Sequence, residues 1–351
     1  MTGAPVPPTG DDLGPAIARW LSHVMGVGAI AVDEVARIHG GASRETYRLR
    51  ARWHEAGMER ERRMVLRRDP GASLIETDQR VEYSAYAAFQ GSEVPVPALV
   101  GIEEDPSWLG RRFFAMEEVT GCEANGQLFE TPEYAAVRQR IGEAKWTILG
   151  AIARADAMAT GLPAVVRVPE GEAIWRDQLD YWEGVIDEDA LSPQPIGRAA
   201  IRWLRRNPPP LPRRISIVHG DFRTGNFLFD REGRIRAVLD WEMCHLGDPL
   251  EDLAWAFNPL WAGQVFDRPG RLLPREEAIR LWEKSSGIAL DPVAFRWWEV
   301  FAGVKGLAIW QSAARTFADG SNRDPIQVVA GWFCTDPQDR FLMDRLGHSV
   351  G

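Results

Sequence analysis

The chain has 351 residues, 45% of them hydrophobic and 26% charged, so it is long enough to bury a sizeable core in two domains or lobes. A formal net charge of -9 argues against a general attraction for nucleic acid or for an anionic membrane surface. No run of ~18 apolar residues suggests a membrane span. The three cysteines are widely spaced, and the N-terminus lacks a signal-peptide pattern. We therefore expect a reduced, cytoplasmic setting.

The first third of the chain predicts a small sheet. Residues 1–10 are rich in Pro and Gly and are expected to be flexible. An amphipathic helix is predicted at 11–25 and a second helix at 77–89. Five strands are predicted, at 35–38, 46–50, 63–66, 98–102 and 112–119. This order predicts a five-stranded, mostly antiparallel sheet with one inserted helix.

The remainder reads as mainly helical. A long helix is predicted at 132–159, and others at 172–186, 196–206, 275–285 and 292–317, with one more beginning at 250. Residues 207–212 form a proline-rich extended linker. Short strands at 215–218, 227–229 and 235–239 interrupt the helices, and residues 230–233 form the turn of a hairpin. We predict an N-terminal lobe at 1–118 and a helical C-terminal lobe at 119–351, an α+β organisation.

Three polar residues in the strand-rich part suggest phosphoryl-transfer chemistry. Asp221 lies in a tight loop after a strand, Asn226 follows five residues later, and Asp240 ends the second strand of the hairpin. Phosphoryl transfer needs a carboxylate to accept the proton of the acceptor hydroxyl and oxygen ligands to hold magnesium on the phosphates. Amide and carboxylate oxygens are hard ligands that suit Mg²⁺. The hairpin would bring Asn226 and Asp240 to one end of the small sheet.

Three motifs in this order, HGDFRTGN at 219–226, LDWE at 239–242 and GDPLEDLA at 247–254, carry a resemblance to a known family. They resemble the catalytic and metal loops of the aminoglycoside phosphotransferase / choline kinase superfamily. The amino-acid sequences of these loops are most similar to those of the kinase-like domain linked to certain acyl-CoA dehydrogenases and of its free-standing bacterial relatives. The resemblance extends more weakly over about residues 30–320. It implies a two-lobed, protein-kinase-like fold.

The resemblance also implies roles for the loop residues. Asp221 resembles the catalytic base, His219 the histidine that braces the loop, and Arg223 is placed with them among the catalytic residues. Asn226 and Asp240 resemble the magnesium ligands. Asp248 and Asp252 are expected to support the loop and the following helix, with a structural role favoured over a catalytic one.

The nucleotide side of the site is expected in the N-terminal lobe. Gly40, Gly41 and Ser43 lie where the resemblance places the phosphate-covering hairpin, whose backbone N–H groups would face the β-phosphate. Arg67 stands where most relatives have a lysine. An arginine can grip two phosphates bidentately, but it is not equivalent to lysine.

Two further expectations concern the partners of Arg67 and the adenine ring. Glu82, in the middle of the next helix, is the expected ion-pair partner of Arg67, with Glu76 as the rival. The segment ending the fifth strand resembles the hinge between the lobes. Backbone groups of Glu117 and Val119 would therefore contact the adenine edge.

The acceptor side is less defined by the sequence. Glu242, Trp255 and Trp310 are candidate pocket residues in a region rich in tryptophan. Tryptophan favours a relatively apolar hydroxylated acceptor, and the resemblance implies a hydroxyacyl thioester. The carboxylates between 177 and 189 would suit a cationic acceptor of the aminoglycoside type, but a solvated helix face would account for them equally well.

These expectations combine into an active Mg²⁺-dependent kinase that transfers the γ-phosphate of ATP or GTP to a hydroxyl of a small molecule. Two alternatives are kept: a nucleotide-binding pseudoenzyme, suggested by Arg67 and by the lack of a strict glycine-rich loop, and an aminoglycoside-type antibiotic kinase. No nucleic-acid or membrane partner is expected. The sequence leaves the acceptor, the choice of nucleotide and the oligomeric state open.

Overall fold

The computed structural model describes residues 13–38, 44–69, 78–263 and 267–347. The N-terminal part is built on an antiparallel sheet of strand order β1-β2-β3-β5-β4. Its strands are β1 (Ala31–Ile38), β2 (Glu45–Glu55), β3 (Met58–Arg68), β4 (Leu99–Glu103) and β5 (Phe113–Glu117). The predicted five-stranded sheet is therefore confirmed, with β1 to β3 longer than the sequence pattern indicated.

The long β2–β3 hairpin turns at Ala56 and Gly57, which both have positive φ (49° and 76°). Two consecutive left-handed residues are the requirement of the two-residue turn whose twist matches that of the flanking strands. The register then pairs Glu55 with Met58 and continues to Glu45 opposite Arg68. The turn thus determines which side chains of β3 face the interior.

Strand β5 separates two hydrophobic cores because its side chains alternate between the two faces of the sheet. Phe113 and Ala115 pack in a core with helix α1 (Leu13–Met25). Phe114 and Met116 pack in the main core with helix α2 (Gln79–Ala88). The sheet is therefore covered on both faces, and α2 lies on the face that continues into the helical lobe.

The C-terminal part is mainly helical. Its helices are α3 (Pro132–Ala135), α4 (Arg138–Arg154), α5 (Ala173–Asp189), α6 (Pro195–Arg206), α7 (Leu250–Ala256), α8 (Arg275–Ser286), α9 (Pro292–Ala318), α10 (Pro325–Phe333) and α11 (Thr335–Leu346). Helix α9 is its centre, since α5, α6, α7, α10 and α11 all pack on it. The short strands are β6 (Ser216–Val218), β7 (Phe227–Phe229), β8 (Ile235–Val238) and β9 (His245–Gly247). They form two antiparallel pairs, β6 with β9 and β7 with β8.

Two features of the helical part differ from the sequence prediction. The single helix expected at 132–159 is divided into α3 and α4, and Val137 between them departs from ideal helix angles (φ −111°, ψ 0°) and lies close to Gly233 of the β7–β8 turn. Helix α4 ends at Arg154, and Ala155 is extended. Helices α10 and α11 were not predicted.

The expected two-lobed α+β architecture is present, while the lobe boundary between residues 118 and 119 stays a prediction. The flexible segment predicted at 1–10 lies outside the described residues. Within the described ranges, no helix combines the length and the apolar character needed to span a bilayer.

Lys145 on α4 provides a stability prediction. Its side chain is fully buried, and its Nζ donates to no acceptor among the residues that the structure describes, although it lies 4.4 Å from the Trp146 ring centroid. Burial lowers the pKa of Lys145 from 10.5 to about 7. Because the unfolded chain then binds more protons between these two values, the cost to stability is complete below pH 7 and fades as pH rises toward 10.5.

We expect Lys145→Met to raise Tm by roughly 2 °C or more at pH 6.5, because methionine keeps the stem and removes the buried charge. The gain should shrink as pH rises through the same window. Thermal unfolding followed by circular dichroism at several pH values measures it. Lys284→Met, at an exposed position on α8, is the matched control and should leave Tm unchanged. A lower Tm for Lys145→Met at pH 6.5 would contradict the prediction.

Candidate active site

The loop after β6 is held from behind by a buried carboxylate. Asp252 on α7 is 2% exposed, and its two oxygens accept the backbone N–H groups of His219 (2.6 Å) and Gly220 (2.9 Å). Gly220 has φ +85°, and a Cβ there would collide with the carbonyl of Met243. Glycine is therefore required at 220, and the loop is fixed in a conformation that other residues rarely adopt.

His219 braces the loop as a neutral imidazole. Its Nδ1 accepts the backbone N–H of Asp221 at 3.1 Å, so its Nε2 carries the proton and donates to the carbonyl of Leu239 at 2.9 Å. Burial lowers the pKa of His219, which favours this neutral form. The histidine thus connects the loop carrying Asp221 to the strand that leads into Asp240.

The Asp221 carboxylate is oriented by three side-chain donors. Trp255 Nε1 donates to Oδ1 at 2.6 Å, while Asn226 Nδ2 (2.7 Å) and Arg223 Nε (3.2 Å) donate to Oδ2. Donors to both oxygens of a carboxylate restrict its rotation. The group is therefore a fixed acceptor, as a base for a hydroxyl proton requires.

The β7–β8 hairpin places Asn226 beside Asp240. The backbone N–H of Leu239 donates to the carbonyl of Asn226 at 2.8 Å, immediately before the first ladder pair, Phe227 with Val238. Asp240 follows in the left-handed region (φ 67°, ψ 53°), and its N–H donates to Tyr86 Oη at 3.0 Å. Aspartate tolerates this conformation better than most residues.

The donor set at this point fits magnesium. Asn226 uses its amide nitrogen to donate to Asp221, so its amide oxygen is the atom left for a cation. Burial would raise the pKa of Asp240, but Arg67 outweighs burial and lowers it, so the carboxylate stays ionised at neutral pH. The described residues contain no group of three His, Cys, Asp or Glu suited to a metal. Mg²⁺ usually retains waters and substrate phosphates among its ligands, so it needs few ligands from a protein.

Arg67 joins the two lobes at the site. Its guanidinium contacts Glu82 Oε1 at 2.6 Å, Asp240 Oδ1 at 3.1 Å and Glu242 Oε2 at 3.6 Å. The expected ion pair between Arg67 and Glu82 is thus present, and the rival Glu76 lies outside the described residues. Glu82 is fully buried, and Arg44 Nε contacts its other oxygen at 2.9 Å. Two arginines therefore share the one glutamate.

The remaining nucleotide-side predictions concern the phosphate-covering hairpin and the hinge between the lobes. Gly40, Gly41 and Ser43 lie outside the described residues. Glu117 ends β5, and its backbone N–H donates to the carbonyl of Ala98 at 2.8 Å, while the adenine contact at Glu117 and Val119 stays a prediction. The backbone carbonyl of Glu117 and the backbone of Val119, in the segment leaving β5, are the groups that stay candidates.

On the acceptor side, a row of tryptophans leads away from Asp221. Trp255 is buried and contacts the Asp221 carboxylate directly. Trp261 lies 5.3 Å from Trp255 and 6.3 Å from Trp310 between ring centroids, and the Arg223 guanidinium lies 5.0 Å from its ring. The structure therefore connects Trp255 to Trp310 through Trp261. Glu242 instead lies beside Arg67 at the metal end of the site.

Asp248 and Asp252 have different surroundings. Asp248 is buried and accepts the N–H of Leu250 and Trp298 Nε1, both at 2.9 Å, so it caps α7 and contacts α9. Burial raises its pKa to about 6. Asp252 contacts the catalytic loop itself, as described above. Both placements agree with supporting roles.

Several residues around the site were not predicted from the sequence. Arg44 and Tyr86 contact Glu82 and Asp240, and Lys305 contacts the carbonyl of Gly220 at 2.6 Å. Tyr86 could have been found, because it lies four residues after Glu82 and hence on the same face of α2. No local pattern marks Lys305, which comes from the distant helix α9.

Comparison with known proteins identifies the family of this chain. The model of the Phosphotransferase enzyme family (APH) matches residues 34–292. The chain is 30% identical over 250 residues to mouse Acyl-CoA dehydrogenase family member 10. The alignment covers 69% of this chain and 22% of that relative. The chain therefore spans about a fifth of that relative's length.

Solved structures show the same fold. A crystal structure from Ralstonia eutropha JMP134, provisionally named an aminoglycoside phosphotransferase, superposes with a TM-score of 0.73 at 24% identity, covering 96% of this chain and 99% of its own. A thermostable variant of the aminoglycoside phosphotransferase APH(4)-Ia, in ternary complex with AMP-PNP and hygromycin B, gives a TM-score of 0.57 at 19% identity, with coverages of 93% and 97%. Because the family model matches more than half of this chain, the chain belongs to the APH phosphotransferase enzyme family.

Proposed function

We propose that this protein is a Mg²⁺-dependent small-molecule kinase that transfers the γ-phosphate of ATP or GTP to an acceptor hydroxyl. The observation that carries the proposal is the joint placement of Asp221, Asn226 and Asp240. Asn226 connects the two carboxylates, since its side-chain amide donates to Asp221 and its backbone carbonyl accepts the N–H of Leu239, the residue before Asp240. Nucleotide binding is further supported by the AMP-PNP complex of the structural neighbour.

In this proposal each residue has a defined task. Asp221 accepts the hydroxyl proton as the acceptor oxygen attacks the γ-phosphorus, while Trp255 and Arg223 keep its carboxylate aimed at that oxygen. Asn226 and Asp240 would hold magnesium, which when bound neutralises charge on the phosphate oxygens. Arg67 would turn from Asp240 toward the phosphates and stay anchored on Glu82.

We further propose a hydroxyacyl thioester as the first acceptor class to test. The tryptophan row beyond Asp221 offers apolar surface for an acyl group. The name of the mouse relative also refers to acyl-CoA chemistry. Hygromycin B is the ligand of APH(4)-Ia, and it enters the assay as the representative of the antibiotic alternative.

One contact favours the second candidate, a nucleotide-binding pseudoenzyme. Arg67 forms an ion pair with Asp240 at 3.1 Å, so it contacts a carboxylate oxygen that a metal would need as a ligand. An active kinase must release this contact when magnesium and nucleotide bind. In a pseudoenzyme the contact would persist, and nucleotide would bind without metal-dependent turnover.

Nucleotide consumption by the purified protein tests the proposal. ATP and GTP would each be offered with magnesium and a panel of hydroxyacyl-CoAs, choline, homoserine, simple sugars and aminoglycosides. We expect acceptor-dependent turnover that EDTA abolishes. Mg²⁺-independent nucleotide binding without turnover on any acceptor would favour the pseudoenzyme.

Arg67→Ala should raise the nucleotide KM and lower kcat, with a combined loss in kcat/KM of about 10- to 100-fold, because a charge-assisted contact to phosphate is lost. Steady-state kinetics with varied ATP measures both constants. Arg68→Ala is the matched control, since Arg68 pairs with Glu45 at 2.6 Å instead of facing the site. Equal kinetics for Arg67→Ala and the wild type would remove Arg67 from the phosphate site.

A further inference from the structure

A group of buried charges lies beneath the catalytic loop and is not used by the chemistry described above. Lys305 on α9 is 1% exposed, and its Nζ donates to Glu251 Oε1 at 3.1 Å. Glu251 Oε2 pairs with His245 Nε2 at 3.0 Å. Burial alone would raise the pKa of Glu251, but His245 and Lys305 outweigh it and lower the pKa to about 2. The three side chains therefore form a charged unit, here called the Lys305 network.

The Lys305 network reaches the peptide that carries the base. Lys305 Nζ donates to the carbonyl of Gly220 at 2.6 Å. The N–H of that same peptide plane belongs to Asp221 and donates to His219 Nδ1 at 3.1 Å. One peptide plane is thus held from both sides, by a lysine at its oxygen and by a histidine at its nitrogen. Rotation of this plane would displace the Cα of Asp221.

Lys305 also contacts the side chain that orients the base. Its Nζ lies 5.1 Å from the centroid of the Trp255 ring, whose Nε1 donates to Asp221 Oδ1. A desolvated cation beside an aromatic face is attracted to the negative face of the ring. Lys305 therefore acts on Asp221 through two routes, its backbone and its carboxylate partner.

The other end of the Lys305 network reaches the segment after Asp240. His245 Nδ1 lies 3.0 Å from the carbonyl of Met243, and its Nε2 faces Glu251. Because both ring nitrogens face acceptors, the histidine is a double donor and carries charge. Met243 in turn lies against Gly220. The network therefore spans from the base-bearing loop to the segment that follows the metal-binding aspartate.

We propose that Lys305 is a positioning residue for phosphoryl transfer, and that the Lys305 network fixes the distance between the base loop at 219–226 and the metal segment at 240–243. The inference rests on the proposed kinase function. It does not require Lys305 to contact either substrate, from which Gly220 and Trp255 separate it. Its contribution is the geometry of Asp221, for which an error of about 1 Å can cost 10²-fold in rate.

The test compares Lys305→Met with the wild type. We expect kcat to fall by about 10²-fold while the nucleotide KM changes less than about threefold, since the base moves and the nucleotide site does not. Lys145→Met removes the other buried lysine of the same lobe and is the matched control, with kcat expected to stay within about twofold. A fall in KM and kcat together, or no fall in kcat, would overturn the proposal.

A second variant separates positioning from stability. Lys305→Met leaves Glu251 with a single partner, so we expect a lower Tm. In the double variant Lys305→Met/Glu251→Gln, a neutral amide replaces the carboxylate that has lost its lysine, and Tm should largely recover. The carbonyl of Gly220 still lacks its donor, so kcat should stay low. Recovery of kcat together with Tm would show that the lysine acts only on stability.

Hydrogen exchange gives a readout that does not depend on turnover. In Lys305→Met, amide exchange in the 218–222 segment should accelerate about tenfold or more, whereas Lys145→Met should exchange as the wild type does. A wild type without turnover on any acceptor would refute the proposed function, but the exchange experiment would still test how Lys305 holds the loop. Unchanged exchange in Lys305→Met, at full Tm, would refute the positioning role itself.

Discussion

Asp221→Asn should lower kcat by about 10²- to 10⁴-fold and leave magnesium-dependent nucleotide affinity nearly unchanged. The variant removes the acceptor of the hydroxyl proton, and general-base catalysis contributes on this scale. It leaves the proposed metal ligands Asn226 and Asp240 in place. Single-turnover kinetics with the best acceptor of the panel measures the chemical step, and calorimetric titration with ATP and magnesium measures the affinity.

The hydrogen bonds around Asp221 indicate a further cost of this substitution. Trp255 donates to one carboxylate oxygen, and Asn226 and Arg223 donate to the other. The NH₂ group of an asparagine at 221 would face a donor in either orientation. We therefore expect a loss of about 1–3 kcal/mol in stability as well.

Asp248→Asn is a control for that stability effect. Asp248 is also a buried carboxylate that accepts an indole N–H, in its case from Trp298 at 2.9 Å, and it lies away from the base. It should lose stability while keeping kcat within a few-fold of the wild type. Normal turnover by Asp221→Asn would exclude Asp221 as the base.

The part of the site that the sequence predicts correctly is the part built from short-range contacts. Asn226 and Asp240 are joined by a hairpin, so the strand pattern and the turn at 230–233 are enough to bring them together. Arg67 ends a predicted strand and Glu82 lies in the middle of the next predicted helix, so the sequence order alone suggests this pair. In both cases, alternation and helical periodicity fix the relative placement of the residues.

The unpredicted part depends on contacts between distant segments. Lys305 comes 85 residues after Gly220, and Arg44 comes 38 residues before Glu82. Neither spacing follows from strand or helix periodicity. A lysine inside the apolar pattern of α9 carries no signal for the loop that it contacts, because that contact is created by packing of the whole lobe.

Helices α10 and α11 were missed for a different reason. Their buried positions include polar or small residues, Gln327 and Gly331 in α10 and Gln338 in α11. The large apolar residues of α10, among them Trp332 and Phe333, are exposed instead. A search for apolar residues at helical spacing along one buried face therefore does not detect these helices, although they pack on α9.

Asp240→Asn should abolish the dependence of nucleotide binding on magnesium and lower kcat by about 10³-fold. Metal-ion stabilisation of the phosphate charge is worth several kcal/mol, and the neutral amide cannot replace the carboxylate ligand. Asparagine is the preferred replacement because residue 240 has φ 67°, a left-handed conformation that asparagine tolerates. Titrations of ATP with magnesium and with EDTA measure the coupling.

The surroundings of Asp240 allow the effect on the metal to be separated from other effects. Asp240→Ala should lose the same metal response and also some Tm, because alanine is strained at positive φ. Glu242→Gln removes the third carboxylate near Arg67, which lies 3.6 Å from that guanidinium, and tests whether Glu242 contributes to the metal site. In Asp240→Asn, Arg67 keeps Glu82 and Glu242 and loses only the Asp240 carboxylate, so binding of metal-free nucleotide should persist or strengthen. An undiminished magnesium response in Asp240→Asn would place the metal at other ligands and would leave the contact between Arg67 and Asp240 as a purely structural bridge between the lobes.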